Sequence, residues 1–271
     1  MRSALVVCAL AGCKFQAPAA SSDAELEIDA APGVDVPLTD DGMMIDGPPL
    51  SPCMVPDSTG LIACYQLDDN LGGGAFVDSS GNGHDATESG FTAVTRPVPG
   101  PSQAIVIGSA SSALAPQTAA FELTGDLTIS AWVFPTNPPS NANSGVIDHD
   151  NQWAMSILNG KLSCWFQRQG QLTIADTTSF TNNSWQLIAC TLTGNQGCVY
   201  RITPAGAVVK NCVAVNTAAA PGQNGISLGS FQNGSGAPEE RWSGAVDDIR
   251  VYKRALGDPE LCTLAGRTSC P

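Results

Sequence analysis

Histidine and basic residues are scarce in this sequence of 271 residues. It has two histidines, and its 12 lysines and arginines face 25 aspartates and glutamates, which gives a net charge of −13. Nucleic-acid binding needs clustered basic side chains for the phosphates, so this balance argues against nucleic acid as a partner. Two histidines also leave little material for a mechanism that depends on a histidine base.

Several catalytic motifs are missing as well. The sequence has no H-E-x-x-H and no P-loop. Acids alternate in Glu25–Asp29, but that stretch cannot hold the roughly 5 Å carboxylate separation of a retaining glycosidase. Glu239 and Glu240 are adjacent and would face opposite sides of a strand. The sequence therefore predicts a protein that is not an enzyme.

The first residues have the pattern of an export signal. Arg2 is followed by a short apolar stretch from Ser3 to Leu10, and small residues precede Cys13. The string LAGC resembles the lipobox of bacterial lipoproteins, which implies cleavage after residue 12 and lipidation of Cys13. The alternative is an ordinary secretory signal in which Cys13 is incidental. No segment reaches the roughly 18 apolar residues of a membrane-spanning helix, so we expect an exported protein, lipid-anchored in a bacterial outer membrane or on the cell surface.

Residues 13–52 are acidic and rich in proline and alanine. They contain eight acidic side chains, one basic side chain (Lys14) and one aromatic ring (Phe15). Such a segment buries too little apolar surface to offset the entropy lost on ordering. We expect a disordered tether that leads to one folded domain over residues 53–271.

The cysteines agree with export. Apart from Cys8 and Cys13 in the signal, eight remain, an even number that can form four disulfides in an oxidising compartment. No C-x-x-C pattern occurs, which argues against a zinc ribbon. Sequence alone does not fix the connectivity. Nearness along the chain suggests the pairs Cys53–Cys64, Cys164–Cys190, Cys198–Cys212 and Cys262–Cys270.

The folded region consists of short strand patterns. Runs of about four to nine residues rich in Val, Ile, Thr and aromatics are bounded by Gly, Pro, Asn or Asp. Asn159-Gly160 suits a type I′ turn between two of them. One short helix follows at the end, with Asp258 as its expected N-cap and Leu261 and Leu264 facing inward. The pattern predicts an all-β protein, an antiparallel β-sandwich of jelly-roll type with a short C-terminal helix.

Four segments of this region carry a family pattern. They are ACYQLDDN with VDSSGNGHDA, DLTISAWVFPT, NNSWQLIACTL and WSGAVDDIRVYKRALGDPEL, and the resemblance that they carry covers residues 61–265. In this order they resemble a laminin-G-like jelly-roll domain of the concanavalin A-like lectin/glucanase group, although Gln186 and Leu187 replace two histidines common in the third segment. The resemblance implies a non-catalytic binding module. Its partner would be a carbohydrate or glycosylated surface, or alternatively a protein.

The loop DSSGNG resembles the first half of a calcium-binding loop. Asp78, Ser80 and Asn82 supply oxygen atoms at alternate positions, and Gly83 permits the sharp turn. The glutamate expected at position twelve is replaced by Ser89. A calcium ion here would therefore need a carboxylate from elsewhere.

The closing strand offers such a carboxylate. If Ile249 and Val251 face the core, alternation places Asp247 on the same inward face. Domains that this chain resembles often hold a structural calcium between the loop and this strand, which implies Asp78, Asn82 and Asp247 as metal ligands. The alternative is that the two carboxylates accept hydrogen bonds from backbone amides.

A polar stretch, IDHDNQW, is a candidate ligand site. Asp148, Asp150 and Asn151 occupy a predicted loop ahead of Trp153. Carboxylates and amides beside an aromatic ring are typical of a sugar-binding edge. The alternatives are a solvated turn, with Trp153 in the core, or a degenerate glycan hydrolase that uses Asp148 and Asp150 as its acid pair.

Trp165 is the second candidate. Alternation in KLSCWFQ turns Leu162 and Phe166 inward and Trp165 outward, where an indole can stack on a sugar ring. The glycine-rich loop 230–240 is either a wall of a ligand groove or a plain connection. We expect the ligand to contact Asp148, Asp150, Asn151 and Trp165.

Overall fold

The computed structural model describes residues 52–68, 73–97, 102–136, 143–166, 172–204, 206–215, 220–268 and 270. The predicted signal peptide, the lipidation site Cys13 and the tether up to residue 51 lie outside these ranges and stay predictions. Across the described ranges, no helix has the length and apolar character needed to cross a membrane.

Short strands dominate the described residues, as the sequence predicts. Two single-turn 3-10 helices lie at Pro52–Met54 and Ala119–Phe121, and one α-helix, α1, lies at Asp258–Leu264. The strands are β1 (Leu61–Tyr65), β2 (Ala75–Phe76), β3 (Ala86–Ser89), β4 (Thr92–Arg96), β5 (Ser102–Ile107), β6 (Ser112–Ala115), β7 (Leu127–Pro135), β8 (Asn143–His149), β9 (Trp153–Leu158), β10 (Lys161–Phe166), β11 (Leu172–Ala175), β12 (Gln186–Thr193), β13 (Gln196–Ile202), β14 (Val208–Ala214), β15 (Ile226–Leu228), β16 (Phe231–Gln232), β17 (Pro238–Glu239) and β18 (Gly244–Tyr252).

The strands form two antiparallel sheets. The first sheet has the order β14-β13-β12-β7-β18-β5-β4, and β1 also pairs with β18. The second sheet has the order β11-β10-β9-β8-β15-β6-β3-β2, while β16 and β17 make a separate hairpin. Asn159 and Gly160 both have positive φ at the turn between β9 and β10, as a type I′ turn requires. The fold is the expected concanavalin A-like β-sandwich.

Apolar side chains on the facing sides of the two sheets form the main core. In β7, Ile129, Ala131 and Val133 face this core, and in β9 Trp153 and Met155 face it from the second sheet. Burial of one such large side chain contributes about 1.5 to 3 kcal/mol. The side chains that alternate with these lie on the outer faces of the two sheets.

A second apolar cluster lies on the outer face of the first sheet. Trp132 points into it, and α1 covers it with Leu261 and Leu264, as predicted. The N-cap of α1 is Gly257 rather than Asp258. The Gly257 N–H donates to the Glu260 side chain, whereas the Asp258 carboxylate is occupied by Lys210.

The four predicted disulfides are all present. One of them joins the two sheets through the main core, between β10 and β12, with a Cα–Cα distance of 5.6 Å. Another links paired residues of β13 and β14. The pairs are Cys53–Cys64, Cys164–Cys190, Cys198–Cys212 and Cys262–Cys270.

A β-bulge in β18 changes the side on which Asp247 lies. The register against β7 shifts between Asp247 and Arg250, and Asp248 has a φ of 50°. The extra residue lets Val246 and Ile249 both face the main core, so Asp247 points to the outer face. The prediction that Asp247 shares the inward face with Ile249 is wrong for this reason.

Candidate functional site

The loop that resembles half of a calcium site is held by hydrogen bonds. The Asp78 carboxylate accepts bonds from the backbone N–H groups of Cys64 (2.9 Å), Ser80 (3.0 Å) and His84 (3.0 Å), and from the Ser80 hydroxyl (2.8 Å). The Asn82 amide donates to the carbonyl of Ile62 at 2.9 Å. These bonds hold the loop against β1. Asp78 accepts hydrogen bonds from backbone amides, which was the alternative to calcium binding for this carboxylate.

Asp247 has a different partner. Its Oδ2 lies 2.5 Å from Nε of Arg96, and both side chains are buried. The Arg96 guanidinium lies over the Trp132 ring, 5.1 Å from its centroid, on the outer face of the first sheet. Asp78 and Asp247 thus have separate partners, and the described residues contain no group of three or more His, Cys, Asp or Glu able to hold a metal ion. The ligand set that the resemblance implied does not fit calcium, and calcium binding stays a prediction.

A groove of about 260 Å³ lies on the outer face of the second sheet. Alternation along the neighbouring strands β8 to β11 turns one set of side chains into the core and the other set into this groove. In β10, for example, Cys164 faces the core while Ser163 and Trp165 face the groove. The lining residues are Asn143, Asp148, Asp150, Asn151, Ser156, Leu158, Ser163, Trp165, Thr173, Phe231 and Gln232.

The β16–β17 hairpin forms one wall of this groove. Its backbone packs directly on β8, where the Gly145 N–H donates to the carbonyl of Glu240 at 2.7 Å. A Cβ atom at Gly145 would lie 2.3 Å from the backbone nitrogen of Phe231. Glycine inside a strand here permits the close approach of a second backbone. Phe231 and Gln232 are thereby brought over the sheet.

All four residues predicted to bind a ligand line the same groove. Asp148 lies in β8, where it pairs with Ala154, and not in a loop as predicted. Asp150 and Asn151 form the turn after β8, and Asn151 has a φ of 65°. Trp165 is partly exposed. The solvated-turn alternative does not describe this stretch, because Asp148 is 2% and Asp150 7% exposed. The same alternative placed Trp153 in the core, and this part of it is confirmed.

Burial dominates the electrostatics at Asp148. Loss of solvent raises the pKa of the Asp148 carboxyl to about 7, and the charges of Asp150 and Glu239 act in the same direction. A hydrogen bond from the Gln232 N–H to Oδ2, at 2.8 Å, acts in the opposite direction. Asp150 accepts a bond from the Asn224 amide at 2.8 Å.

Three buried oxygen atoms of the lining residues have no hydrogen-bond partner among the described residues. They are Oδ1 of Asn143, Oγ of Ser163 and Oε1 of Gln232. Buried polar atoms in native proteins are nearly always paired. These atoms are therefore available to a ligand.

Sequence reasoning missed part of the groove. Ser163 follows from the same alternation that identified Trp165. Phe231 and Gln232 lie far away in the sequence and had only the glycine-rich loop as a signal. Gly145, inside a strand pattern, was the signal for the close approach of that loop.

Solved structures with similar folds include toxin binding domains. The binding domain of Paraclostridial Mosquitocidal Protein 1 has a TM-score of 0.57 at 18% identity and covers 76% of this chain and 52% of its own. A botulinum neurotoxin type C structure, whose cell entry is described as dependent on two ganglioside molecules, has a TM-score of 0.56 at 13% identity, with 76% and 51% covered. This chain thus spans about half the length of those two toxin chains.

A third similar structure is a shorter domain. Domain 4 of AbnA, a GH43 extracellular arabinanase from Geobacillus stearothermophilus, was solved in complex with arabinotriose. It has a TM-score of 0.55 at 18% identity, and the match covers 76% of this chain and 98% of that domain. At such identities these likenesses show the fold.

The family is shown by sequence. No curated protein sequence matches the chain significantly. The Laminin_G_3 family model matches residues 106–262, more than half of the chain. This chain belongs to the concanavalin A-like lectin/glucanases superfamily.

Proposed function

We propose that the protein is a non-catalytic carbohydrate-binding module and that the groove on the outer face of the second sheet is its binding site. The observation that carries the proposal is the position of the Trp165 indole beside unpaired buried oxygens of Ser163 and Gln232 in one groove. An indole provides a flat apolar surface for the C–H face of a sugar ring. The neighbouring polar atoms can pair with its hydroxyl groups.

The similar structures support a binding role. An arabinanase domain with this fold was solved with arabinotriose, and cell entry of botulinum neurotoxin type C is described as dependent upon interaction with two ganglioside molecules. A related toxin domain was solved in complex with rat synaptotagmin II, which is the reason to keep a protein partner as the competing outcome.

The test is a screen of glycans and polysaccharides with the purified protein and two variants. Trp165→Ala removes the stacking surface, and we expect its affinity for any bound glycan to fall about tenfold or more. Trp165→Phe keeps an aromatic ring and should retain most of the affinity. Val94→Ala, which changes an exposed apolar side chain on β4, is the matched control and should have no effect.

Three results would contradict the proposal. Binding that survives Trp165→Ala would place the site elsewhere. Absence of binding to any glycan by folded protein would favour a protein partner. Release of shortened sugars during incubation, lost in Asp148→Asn or Asp150→Asn, would show a hydrolase.

The predicted calcium ion is tested in the same screen. Asp78 accepts four hydrogen bonds and Asp247 pairs with Arg96. We therefore expect EDTA to leave glycan binding unchanged. A loss of binding that calcium restores would show a metal site built from other oxygen atoms.

The cellular position remains the one that the sequence predicts. We propose that a lipid on Cys13 anchors the protein and that the acidic residues 13–52 hold the domain away from the membrane surface. Labelling with radioactive palmitate should disappear in Cys13→Ser. Label that persists in this variant would contradict the anchor.

A further inference from the structure

The charged side chains that line the groove are all negative. Among the described residues, Asp148 and Asp150 line it and no lysine or arginine does. Glu239, in the hairpin that forms the wall, adds a third negative charge that acts on Asp148. The nearest basic residue on the same face of β10 is Lys161, whose ammonium group is directed to the carbonyl of Thr177 at 3.4 Å.

This arrangement has an energetic cost in the free protein. Asp148 is 2% exposed, and its carboxylate lies near two like charges with no basic side chain in the groove. Desolvation and like charges disfavour its ionised form, which agrees with its raised pKa. A cation bound in the groove would relieve both effects, because a buried charge is costly unless it is paired.

The unpaired side-chain oxygen of Gln232 points to the same kind of ligand, and the Ser163 hydroxyl, which can both donate and accept, is compatible with it. Ser163 is 1% and Gln232 6% exposed, and the unpaired atoms in both are oxygens, as is the one in Asn143. The amide orientation of Gln232 is fixed, because its nitrogen donates to the carbonyls of Asp148 and Gly225, each at 3.1 Å. Its Oε1 is therefore an acceptor without a donor. An ammonium group offers three donors and no acceptor.

We propose that the groove selects a saccharide that carries a free, protonated amino group. The ammonium group would pair with Asp148 and donate to the unpaired oxygens of Ser163 and Gln232, while the sugar ring stacks on Trp165. This inference rests on the proposed carbohydrate site and names its substrate class.

A divalent metal ion suits the groove less well. Calcium takes six to eight oxygen ligands and usually several carboxylates. The described part of the chain contains no group of three or more His, Cys, Asp or Glu placed to hold a metal ion. An ammonium group needs one carboxylate and a few acceptors, which is what the groove supplies.

The test compares two oligosaccharides by isothermal titration calorimetry at neutral pH and physiological salt. One is an oligomer of glucosamine with free amino groups, and the other is its fully N-acetylated counterpart of equal length. We expect the free amine to bind about tenfold more tightly, since a hydrogen bond from a charged ammonium group to a carboxylate is stronger than a neutral one. Asp148→Asn should remove this difference between the two oligomers.

Controls separate the groove from the overall charge. The net charge of −13 attracts any cation weakly. Asp126→Asn removes one exposed carboxylate, which binds the Gly194 N–H outside the groove, and should preserve the preference. Trp165→Ala should weaken both oligosaccharides by the same factor.

The possible outcomes are distinguishable. Equal or tighter binding of the N-acetylated oligomer, lost in Trp165→Ala, would overturn this inference and leave the carbohydrate site standing. A preference for the amine that survives Asp148→Asn would show attraction that does not depend on this carboxylate and would overturn the inference. Methylammonium that binds as tightly as the glucosamine oligomer would show that the sugar is irrelevant. If no glycan binds at all, both the inference and the proposed function fail.

Discussion

Replacing Asp148 by asparagine should change how the stability of the free protein depends on pH. Asparagine has the shape of protonated aspartate, and its side-chain oxygen can still accept the 2.8 Å bond from the Gln232 N–H. Asp148 is 2% exposed, and burial, with the charges of Asp150 and Glu239, raises its pKa from 3.8 to about 7. The substitution therefore removes a buried charge with little change in packing.

The direction of this pH dependence follows from the number of protons that the folded and unfolded states bind. Between pH 3.8 and about 7 the folded protein keeps a proton on Asp148 that the unfolded chain has lost. The contribution of Asp148 to the free energy of unfolding therefore falls as the pH rises through this window. The full difference between the two pKa values corresponds to about 4 kcal/mol. Above pH 7 the wild-type protein carries this cost, and Asp148→Asn does not.

We expect Asp148→Asn to match the wild type near about pH 4 and to be more stable by about 2 to 4 kcal/mol near about pH 8.5. The assay is urea unfolding over a series of pH values, without reductant, followed by circular dichroism. Asp126→Asn, which changes an exposed carboxylate, is the control and should show no such window. The reasoning would be refuted if the difference in free energy of unfolding stayed constant with pH. It would also be refuted if the wild type became more stable relative to the variant as the pH rises.

Three further predictions concern the scaffold. Arg96→Met leaves Asp247 buried without its charged partner and should lower the free energy of unfolding by about 3 to 5 kcal/mol. The measurement is urea unfolding, and a loss below about 1 kcal/mol would contradict this prediction. The double substitution Cys164→Ser and Cys190→Ser opens a loop with a sequence separation of 26 and should cost about 3.5 kcal/mol, and an unchanged midpoint would contradict this. Gly145→Ala should displace the β16–β17 hairpin and reduce glycan binding, because the added Cβ would meet backbone atoms. Gly234→Ala lies in the turn of that hairpin with open space around it and should bind glycan normally. Equal glycan affinity of the two variants would contradict this prediction.

Local patterns were enough to predict most of the fold. Two-residue alternation turned Leu162 and Phe166 inward and Trp165 outward, because a strand has two faces and one of them is buried. Cysteine spacing also identified the four disulfides, since hairpin neighbours and adjacent segments bring nearby cysteines together.

The failures occurred where one residue changes the backbone geometry. The bulge at Asp248 reverses the alternation, and no pattern in AVDDIRVY reveals that an extra residue is accommodated there. The inward orientation expected for Asp247, one of the three implied calcium ligands, rested on that alternation; calcium binding itself stays a prediction. The helix start moved by one residue because the Asp258 carboxylate pairs with Lys210, which is distant in sequence.

The candidate groove was predicted in part for a similar reason. Its floor belongs to neighbouring strands. Alternation identified Trp165 as an outward residue, whereas Asp148 was predicted in a loop and lies in β8. Its wall comes from the hairpin that carries Phe231 and Gln232, and its position depends on a backbone contact with Gly145. Long-range packing of this kind is not encoded in local periodicity.

The most direct test of the central proposal is the affinity of purified wild-type protein and Trp165→Ala for the glycans retained in a broad screen. The account predicts saturable binding by the wild type and a loss of about tenfold or more in the variant, with the fold unchanged by circular dichroism. Equal affinity of the two proteins, or no glycan bound by folded wild-type protein, would contradict the assignment of this groove as a carbohydrate site.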